Sequence, residues 1–367
     1  MMSKASAEGS DLRGWSLGVS SRFGGRLSLR GAARLVAFTA TAASLCAGMS
    51  CKSDEDAPRQ VVLYCSVDQA VAEPIVAEFE RGSGIKVLAR YDTESSKTVG
   101  LVQRLRAEQS SPAADVFWSS EVFYTIRLAR EGLLAPFEAD PSSGRAKQLV
   151  GPKGVWHGFA LRGRVIAYST ARVGPDEAPH RLEDVLDARW KGRIVMAAPE
   201  FGTTGGDVAS WFAHYGQQRA EQILAGLKAN DIRLVDGNST AVRMVATGQA
   251  DVCFTDTDDV YAAKRNGWPV AMNFLNQGDD GALAIPNTAA VIRGGPHPRE
   301  AVELMRFLLG KRVETILAES DSHNSPTHAL LTGRYAQYEI PNPLATPYED
   351  IADALPTALT TAGEILR

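Results

Sequence analysis

Short apolar runs alternate along the chain with stretches whose apolar residues recur at helical spacing. Residues 61–65 predict a first strand, and the apolar positions between 71 and 79 fall on one face of a helix. Strand-like runs at 85–89 and 115–118 are likewise each followed by a helical pattern. Strands separated by helices of this length indicate parallel βαβ units, and therefore an α/β fold.

The alternation continues beyond the third unit without a long linker. Strands are predicted at 165–168, 194–198, 232–235 and 251–256, and a return strand at 282–292. The pattern indicates two α/β lobes between which the chain passes more than once. We assign 61–160 to lobe 1, 161–285 to lobe 2, 286–340 to a return into lobe 1, and 341–367 to a C-terminal helical tail.

The N-terminus differs from the rest of the chain. Five arginines occur within residues 1–34, and residues 35–48 are free of charge, a run too short to span a membrane. Small residues then precede Cys51, and residues 52–60 are polar. We interpret 1–51 as a bacterial lipoprotein signal with Cys51 as the lipidated residue, and 52–60 as a tether. An ordinary cleavable signal is the alternative; both place the protein in the cell envelope, facing the periplasm.

Composition narrows the class of protein. Hydrophobic residues make up 44% of the 367 residues and charged residues 22%, which is ordinary for a soluble globular protein. A net charge of −4 gives no support for nucleic-acid binding. Cys65 and Cys253 fall on strands that we assign to different lobes, so we predict two buried thiols rather than a disulfide.

Three aspartates mark the strongest candidate site. Asp256, Asp258 and Asp259 end an apolar strand just before a helical stretch. Carboxylates this close repel one another unless a cation, hydrogen-bond donors or a helix N-terminus neutralises them. The three aspartates are therefore candidate ligand-binding residues. The alternative is purely structural, with Thr257 as a helix N-cap and the acids in the first turn.

Two further segments could bind an anion. The glycine-rich segment FGTTGG at 201–206 precedes a helix, where backbone N–H groups and the hydroxyls of Thr203 and Thr204, with Gly205, could cradle one. A plain glycine turn is the alternative. Arg162 is a bidentate donor, with a surface ion pair as its alternative. The sequence contains no nucleophile elbow, phosphate-binding loop or zinc-protease motif, so we do not expect an enzyme.

Several characteristic segments lie within residues 61–326, including VLYCS at 62–66, ADVFWSSE at 114–121, PEFGTT at 199–204 and TGQAD at 247–251. Together they resemble the periplasmic ferric-iron-type family of solute-binding proteins. This resemblance implies a two-lobe α/β periplasmic binding protein fold of type II, with hinge-crossing strands that join the lobes, which closes on its ligand by hinge motion. It also implies a monomer that delivers solute to the permease and ATPase of an ABC importer.

The resemblance predicts the position of the ligand but leaves the identity of the ligand open. Ferric members hold iron with two adjacent tyrosines, and Asp258 and Asp259 stand at those positions here. Asp68 and Glu121 stand near other ligand positions of the family, although Asp68 could instead cap a helix. With Asp256 these carboxylates would form an all-oxygen site for Fe³⁺, with or without a co-bound anion, or for Ca²⁺, Mg²⁺ or Mn²⁺. A small organic solute with an amine and an acid group, such as an aminophosphonate, is the alternative ligand. An enzyme on the same fold is the alternative from another class.

Overall fold

The computed structural model describes residues 58–92 and 98–367, which belong to one compact unit. The predicted signal segment with Cys51, and most of the tether, lie outside the described residues. The strands of the described part are β1 Gln60–Cys65, β2 Lys86–Tyr91, β3 Val116–Ser119, β4 Leu134–Ala135, β5 His157–Ser169, β6 Ile194–Ala197, β7 Arg233–Val235, β8 Val252–Asp256, β9 Val270–Asn273 and β10 Ala284–Ile292. The α-helices are α1 Gln69–Ser83, α2 Val99–Ala107, α3 Phe123–Arg130, α4 Gly202–Tyr215, α5 Gln217–Ala229, α6 Asn238–Ala246, α7 Thr257–Arg265, α8 Pro298–Leu308, α9 Lys311–Glu319 and α10 Tyr348–Leu366.

One long strand, β5, belongs to two sheets. The strand order is β2-β1-β3-β10-β5-β8-β6-β7, with β4 beside β10 and β9 beside β5. The first half of β5 pairs antiparallel with β10, and its second half, from Arg164 to Tyr168, pairs antiparallel with β8. The sheet of β1 to β4 and β10 forms lobe 1, and the sheet of β6 to β9 forms lobe 2. The predicted two-lobe α/β class is confirmed.

Helices cover both faces of each sheet, which explains the nearly continuous apolar runs of the central strands. In lobe 1, residues of α1, α8 and α9 pack with Leu63 and Trp118 on one face. In lobe 2, α6 and α7 pack with Val195 and Cys253. The largest cluster contains residues of both lobes and of α10, so the C-terminal helix packs into the main core.

Three elements differ from the sequence-based expectation. β5 begins at His157, well before the predicted 165, because Arg162 and Arg164 make this buried strand look polar. β9 was not predicted, and only its first residue is fully buried. The glycine-rich segment does not precede α4 but forms its first turn, since the helix begins at Gly202 with φ of 60°.

Cys65 and Cys253 are both buried and are not joined to each other in a disulfide, as predicted. Burial raises the pKa of the Cys253 thiol far above its ordinary value. Among the helices of residues 58–92 and 98–367, none combines the length and apolarity needed to cross a membrane.

Candidate ligand site between the two lobes

A polar cavity lies where the two lobes face each other. Its lining comes from lobe 1, from the crossing strand β5 and from lobe 2, and comprises Asp68, Ser120, Arg162, Ala197, Phe201, Gly202, Thr203, Asp236, Gly237, Asn238, Asp256, Asp258 and Asp259. The cavity has a volume of about 440 Å³, including space open to solvent. In open α/β sheets, ligands bind beyond the carboxyl ends of the strands, and this cavity occupies that position.

The N-termini of four helices reach this cavity. Asp68 immediately precedes α1, Gly202 begins α4, Asn238 begins α6 and Asp256 precedes α7. Each helix N-terminus carries a partial positive charge, which stabilises nearby carboxylates. Five carboxylates and only one guanidinium line the cavity. The four helix N-termini therefore reduce the electrostatic repulsion between the carboxylates.

Asp256 is the most buried of the aspartates that line this cavity. Its side chain is 3% exposed and bonds to Arg164 at 2.8 Å, with Arg162 Nε 3.4 Å from its other oxygen. The Thr203 hydroxyl donates to that second oxygen at 2.6 Å, and the Asn238 amide donates at 3.2 Å. Burial alone would raise the pKa of Asp256, but the two guanidiniums outweigh burial and hold it below its ordinary value. Asp256 is therefore ionised, and the guanidiniums of Arg162 and Arg164 balance its negative charge.

Asp258 and Asp259 lie in the first turn of α7, on the cavity side. One carboxylate oxygen from each of Asp256, Asp258 and Asp259 lies within 4.8 Å of the others. The Thr255 hydroxyl donates to Asp259 at 3.0 Å, and Arg162 Nη1 donates to Asp258 at 3.0 Å. Three oxygens at this separation can share one hard cation.

The N-cap position of α7 belongs to Asp256 and not to Thr257, so the structural alternative is wrong about the cap but right that Asp258 and Asp259 lie in the first turn. The Thr257 hydroxyl instead accepts a hydrogen bond from the Gly163 N–H at 3.2 Å. That bond ties the start of α7 to the crossing strand. The first-turn aspartates are consequently held beside β5.

Arg162 joins the two lobes. Its Nη2 donates to the Ser120 carbonyl of lobe 1 at 2.5 Å, while its Nη1 donates to Asp258 of lobe 2. Burial disfavours the charged guanidinium, but Asp258 and Asp256 more than offset this and raise its pKa above the ordinary value. The alternative of a surface ion pair is therefore wrong for Arg162, whose ion pair is buried and whose side chain is 9% exposed.

Arg164 was not predicted as a site residue, and it lies between Asp256 and a second buried carboxylate. Its Nε is 3.1 Å from Asp207 of α4. Burial raises the pKa of Asp207, and Arg164 opposes that shift. Two arginines at positions i and i+2 of an otherwise apolar strand share one face, and this is the signal that could have identified Arg164.

The remaining predicted residues divide between the cavity and its surroundings. Asp68 and Thr203 line the cavity, whereas the Thr204 hydroxyl contacts the Asn238 side chain at 3.3 Å. At Gly205 a Cβ atom would stand 2.5 Å from the Pro199 carbonyl, so this glycine permits close packing of the turn. Asp236 and Asn238, both in the cavity lining, were not predicted.

Glu121 is fully buried, and the cavity lining does not include it. Its carboxylate accepts the backbone N–H groups of Phe123 at 2.6 Å and Tyr124 at 3.1 Å, at the start of α3. Burial raises its pKa to about 7, against the lowering effect of these hydrogen bonds. Its neighbour Ser120 supplies the carbonyl that Arg162 contacts.

The fold and the interlobe cavity define a solute-binding protein of the periplasmic type. Residues 61–320 match the model of the family described as bacterial extracellular solute-binding protein, and the chain belongs to that family. It is 26% identical over 290 residues to "Iron uptake protein A1" of Synechocystis, an alignment that covers 74% of this chain and 79% of the relative. It is 26% identical over 278 residues to "Putative 2-aminoethylphosphonate-binding periplasmic protein" of Salmonella typhi, covering 70% and 77%.

Among solved structures, the chain resembles iron-bound HitA from Pseudomonas aeruginosa. The TM-score is 0.74 at 28% sequence identity, and the alignment covers 84% of this chain and 99% of HitA. The similarity therefore includes both lobes of the fold.

Proposed function

We propose that this chain is the solute-binding component of an ABC importer and that it holds ferric iron in the interlobe cavity. The observation that carries the proposal is the group of three carboxylate oxygens, from Asp256, Asp258 and Asp259, within 4.8 Å of one another. Carboxylates outnumber guanidiniums around the cavity, so a trivalent cation would meet a favourable field. Relatives named for iron support the choice of metal.

The carboxylates would take the place of the tyrosine pair that ferric members of this family use. Asp258 and Asp259 are the more exposed candidate ligands, and Asp256, which also pairs with two guanidiniums, would supply the third oxygen. Asp68 faces the same cavity from lobe 1. Binding would then draw a lobe 1 residue and α7 of lobe 2 towards one ion.

A thermal-shift titration with Fe³⁺-citrate tests this proposal. A ligand at 100 times its Kd stabilises the folded state by about 2.7 kcal/mol, which gives a clear rise in Tm. Asp258→Asn combined with Asp259→Asn should abolish the rise, whereas Asp280→Asn, at a carboxylate that pairs with His214 outside the cavity, should preserve it. No shift in the unaltered protein would refute ferric binding.

The colour of the complex provides an independent test. Among the described residues that line the cavity there is no tyrosine. An iron complex built on carboxylates should therefore lack the strong visible charge-transfer band of tyrosine-bound iron. A strong band would show that the metal binds elsewhere.

An organic solute with an amine and an acid group is the second candidate ligand. The observation that favours it is the presence of Arg162 and four helix N-termini beside the carboxylates, since these could hold an acid group while aspartates hold the amine. Titration with 2-aminoethylphosphonate distinguishes the candidates. A Tm shift with this compound and none with Fe³⁺ would select the organic solute.

The remaining parts of the proposal follow from the proposed transport role. We infer a monomer in the periplasm, held to the membrane by a lipid on Cys51, that delivers its solute to a permease and an ATPase. The family is one of solute-binding proteins, so we infer capture without catalysis. Incorporation of labelled palmitate in the unaltered chain, absent in Cys51→Ser, would support the anchor; equal labelling would exclude it.

A further inference from the structure

A second charged cavity lies in lobe 1 and shares no lining residue with the interlobe cavity. We call it the α9 cavity and define it by Arg145, Arg306, Lys311, His328 and the N-terminus of α9 at Gly310. Its volume is about 1170 Å³, including space open to solvent. This is room for a small solute in addition to water.

The central group of the α9 cavity is the guanidinium of Arg145. Its side chain is 3% exposed, and its Nη2 donates to the Leu309 carbonyl at 3.1 Å and to Glu314 at 3.0 Å. Its Nε and Nη1 are buried and have no hydrogen-bond partner among the described residues. Buried donors of a charged group are costly to leave unpaired.

Glu314 cannot supply the missing partners. This fully buried carboxylate already accepts from the Thr327 N–H and hydroxyl, from the His328 N–H at 3.2 Å, and from Arg145. A carboxylate offers about four acceptor positions, and these contacts occupy them. Two donors of Arg145 therefore remain for another acceptor.

The surroundings of Arg145 favour an anion as that acceptor. Lys311 and Arg306 are exposed cations on the lining, and Lys311 is the first residue of α9, whose N-terminus is partially positive. His328 Nδ1 accepts from the Leu330 N–H, so the proton of the neutral ring is on Nε2. Glu138 and Asp140 also line the cavity, but the Asp140 carboxylate accepts the Ser142 N–H at 2.8 Å.

We propose that the α9 cavity binds a phosphate-type oxyanion. Such an anion carries several acceptor oxygens, which match the planar donor fork of an arginine together with a helix N-terminus. The anion is either free in solution or part of a lipid headgroup. The proposal does not depend on the ligand of the interlobe cavity.

Isothermal titration of the full chain with inorganic phosphate tests the proposal. Arg306→Gln combined with Lys311→Gln should raise the Kd at least about fivefold, as expected when two exposed charge contacts are lost. Arg145→Met combined with Glu314→Gln, which removes the buried charges as a pair, should abolish binding. Circular dichroism of each variant verifies that it is folded.

The matched control is Arg312→Gln. Arg312 lies in the same turn of α9 but pairs with Glu78 and does not line the cavity, so its loss should leave the Kd unchanged. Arg162→Met identifies phosphate that binds in the interlobe cavity instead. Binding that is lost in Arg162→Met and retained in the Arg306 and Lys311 double variant would overturn the proposal.

Vesicles distinguish the two sources of the anion. If phosphate itself binds, the source is free in solution; if only phosphatidic-acid vesicles bind, with the same dependence on Arg306 and Lys311, the source is a lipid headgroup. Phosphatidylcholine vesicles are the reference. Failure of both phosphate and phosphatidic acid to bind would overturn the proposal.

Discussion

At the scale of single residues, Asp256 and Asp258 look equivalent in the sequence but differ in their surroundings. Asp256 compensates two buried guanidiniums, whereas Asp258 is 16% exposed, pairs with Arg162 and accepts a hydrogen bond from the Asp259 N–H at 3.2 Å. We expect Asp256→Asn to lower the free energy of unfolding by about 3 kcal/mol, because Arg164 loses its cavity-side partner. Asp258→Asn should lower it by about 1 kcal/mol. Urea unfolding of both variants measures the difference, and equal losses would contradict this assignment.

Glu121 predicts a dependence of stability on pH. Its folded pKa of about 7 lies above the ordinary value of 4.5, so between these values the folded state binds more protons than the unfolded state. Stability should therefore fall as pH rises from about 4.5 to about 7, by about 3 kcal/mol in total from this group.

Glu121→Gln removes that contribution because an amide does not titrate. The stability of the variant relative to the unaltered protein should rise with pH across the window. Urea unfolding at pH 5, 6, 7 and 8 provides the comparison. Parallel stability curves for the two proteins would show that Glu121 does not titrate there.

Sequence patterns identified the acids of the site better than their counter-ions. Asp256, Asp258 and Asp259 stand out because three acids follow an apolar strand. Their pairing with Arg162 and Arg164 could not be predicted, since it depends on the register of β5 against β8. Likewise, nothing local in the sequence shows that Glu121 turns inward to accept two backbone N–H groups.

At the scale of elements, α4 and α3 approach closely through Gly206. A Cβ atom at this position would stand 2.0 Å from the Phe123 ring. Phe123 belongs to lobe 1 and Gly206 to lobe 2, so Gly206→Ala would push the lobes apart. We expect a loss of about 1–3 kcal/mol in unfolding free energy, the usual cost of overpacking.

Gly363→Ala is the matched control for Gly206→Ala. Gly363 lies in α10, and a Cβ atom there would meet nothing within 4 Å. Alanine should stabilise this helix by about 0.5–1 kcal/mol. A similar change in Tm for the two variants would indicate that Phe123 moves aside without cost.

The spacing of hydrophobic residues predicted correctly whether a segment is a helix or a strand wherever that segment is apolar on one face. Element bounds were less accurate where glycine or charge interrupts the pattern. α4 begins at Gly202, inside the glycine-rich segment that was expected to precede it, because this first turn, rich in glycine and threonine, carries little helical signal. Packing against Phe123 and α10 compensates for that weak propensity.

At the scale of the whole molecule, Arg162 connects the lobes by contacting Ser120 on one side and Asp258 on the other. Arg162→Met should remove this connection and increase the radius of gyration of the ligand-free protein in small-angle X-ray scattering. Arg172→Gln is the control, because Arg172 pairs with Asp251 inside lobe 2. An unchanged radius in both variants would show that Arg162 does not hold the lobes together.

The two-lobe architecture was predictable because strand and helix alternate along nearly the whole chain. The identity of the strand that both sheets share, β5, was not predictable, because pairing partners far apart in sequence leave no periodic signal. The position of α10 against α4 and the main core was also not evident from a tail interrupted by prolines.

The shared strand also determines what happens when the polypeptide is shortened. Lobe 1 needs β10, which is encoded after every strand of lobe 2, and the main core is completed only by α10 at the end of the chain. A product that stops halfway would contain neither a finished lobe 1 sheet nor a finished core. Translation that stops before α10 would therefore yield incompletely folded chains, which are substrates for proteases.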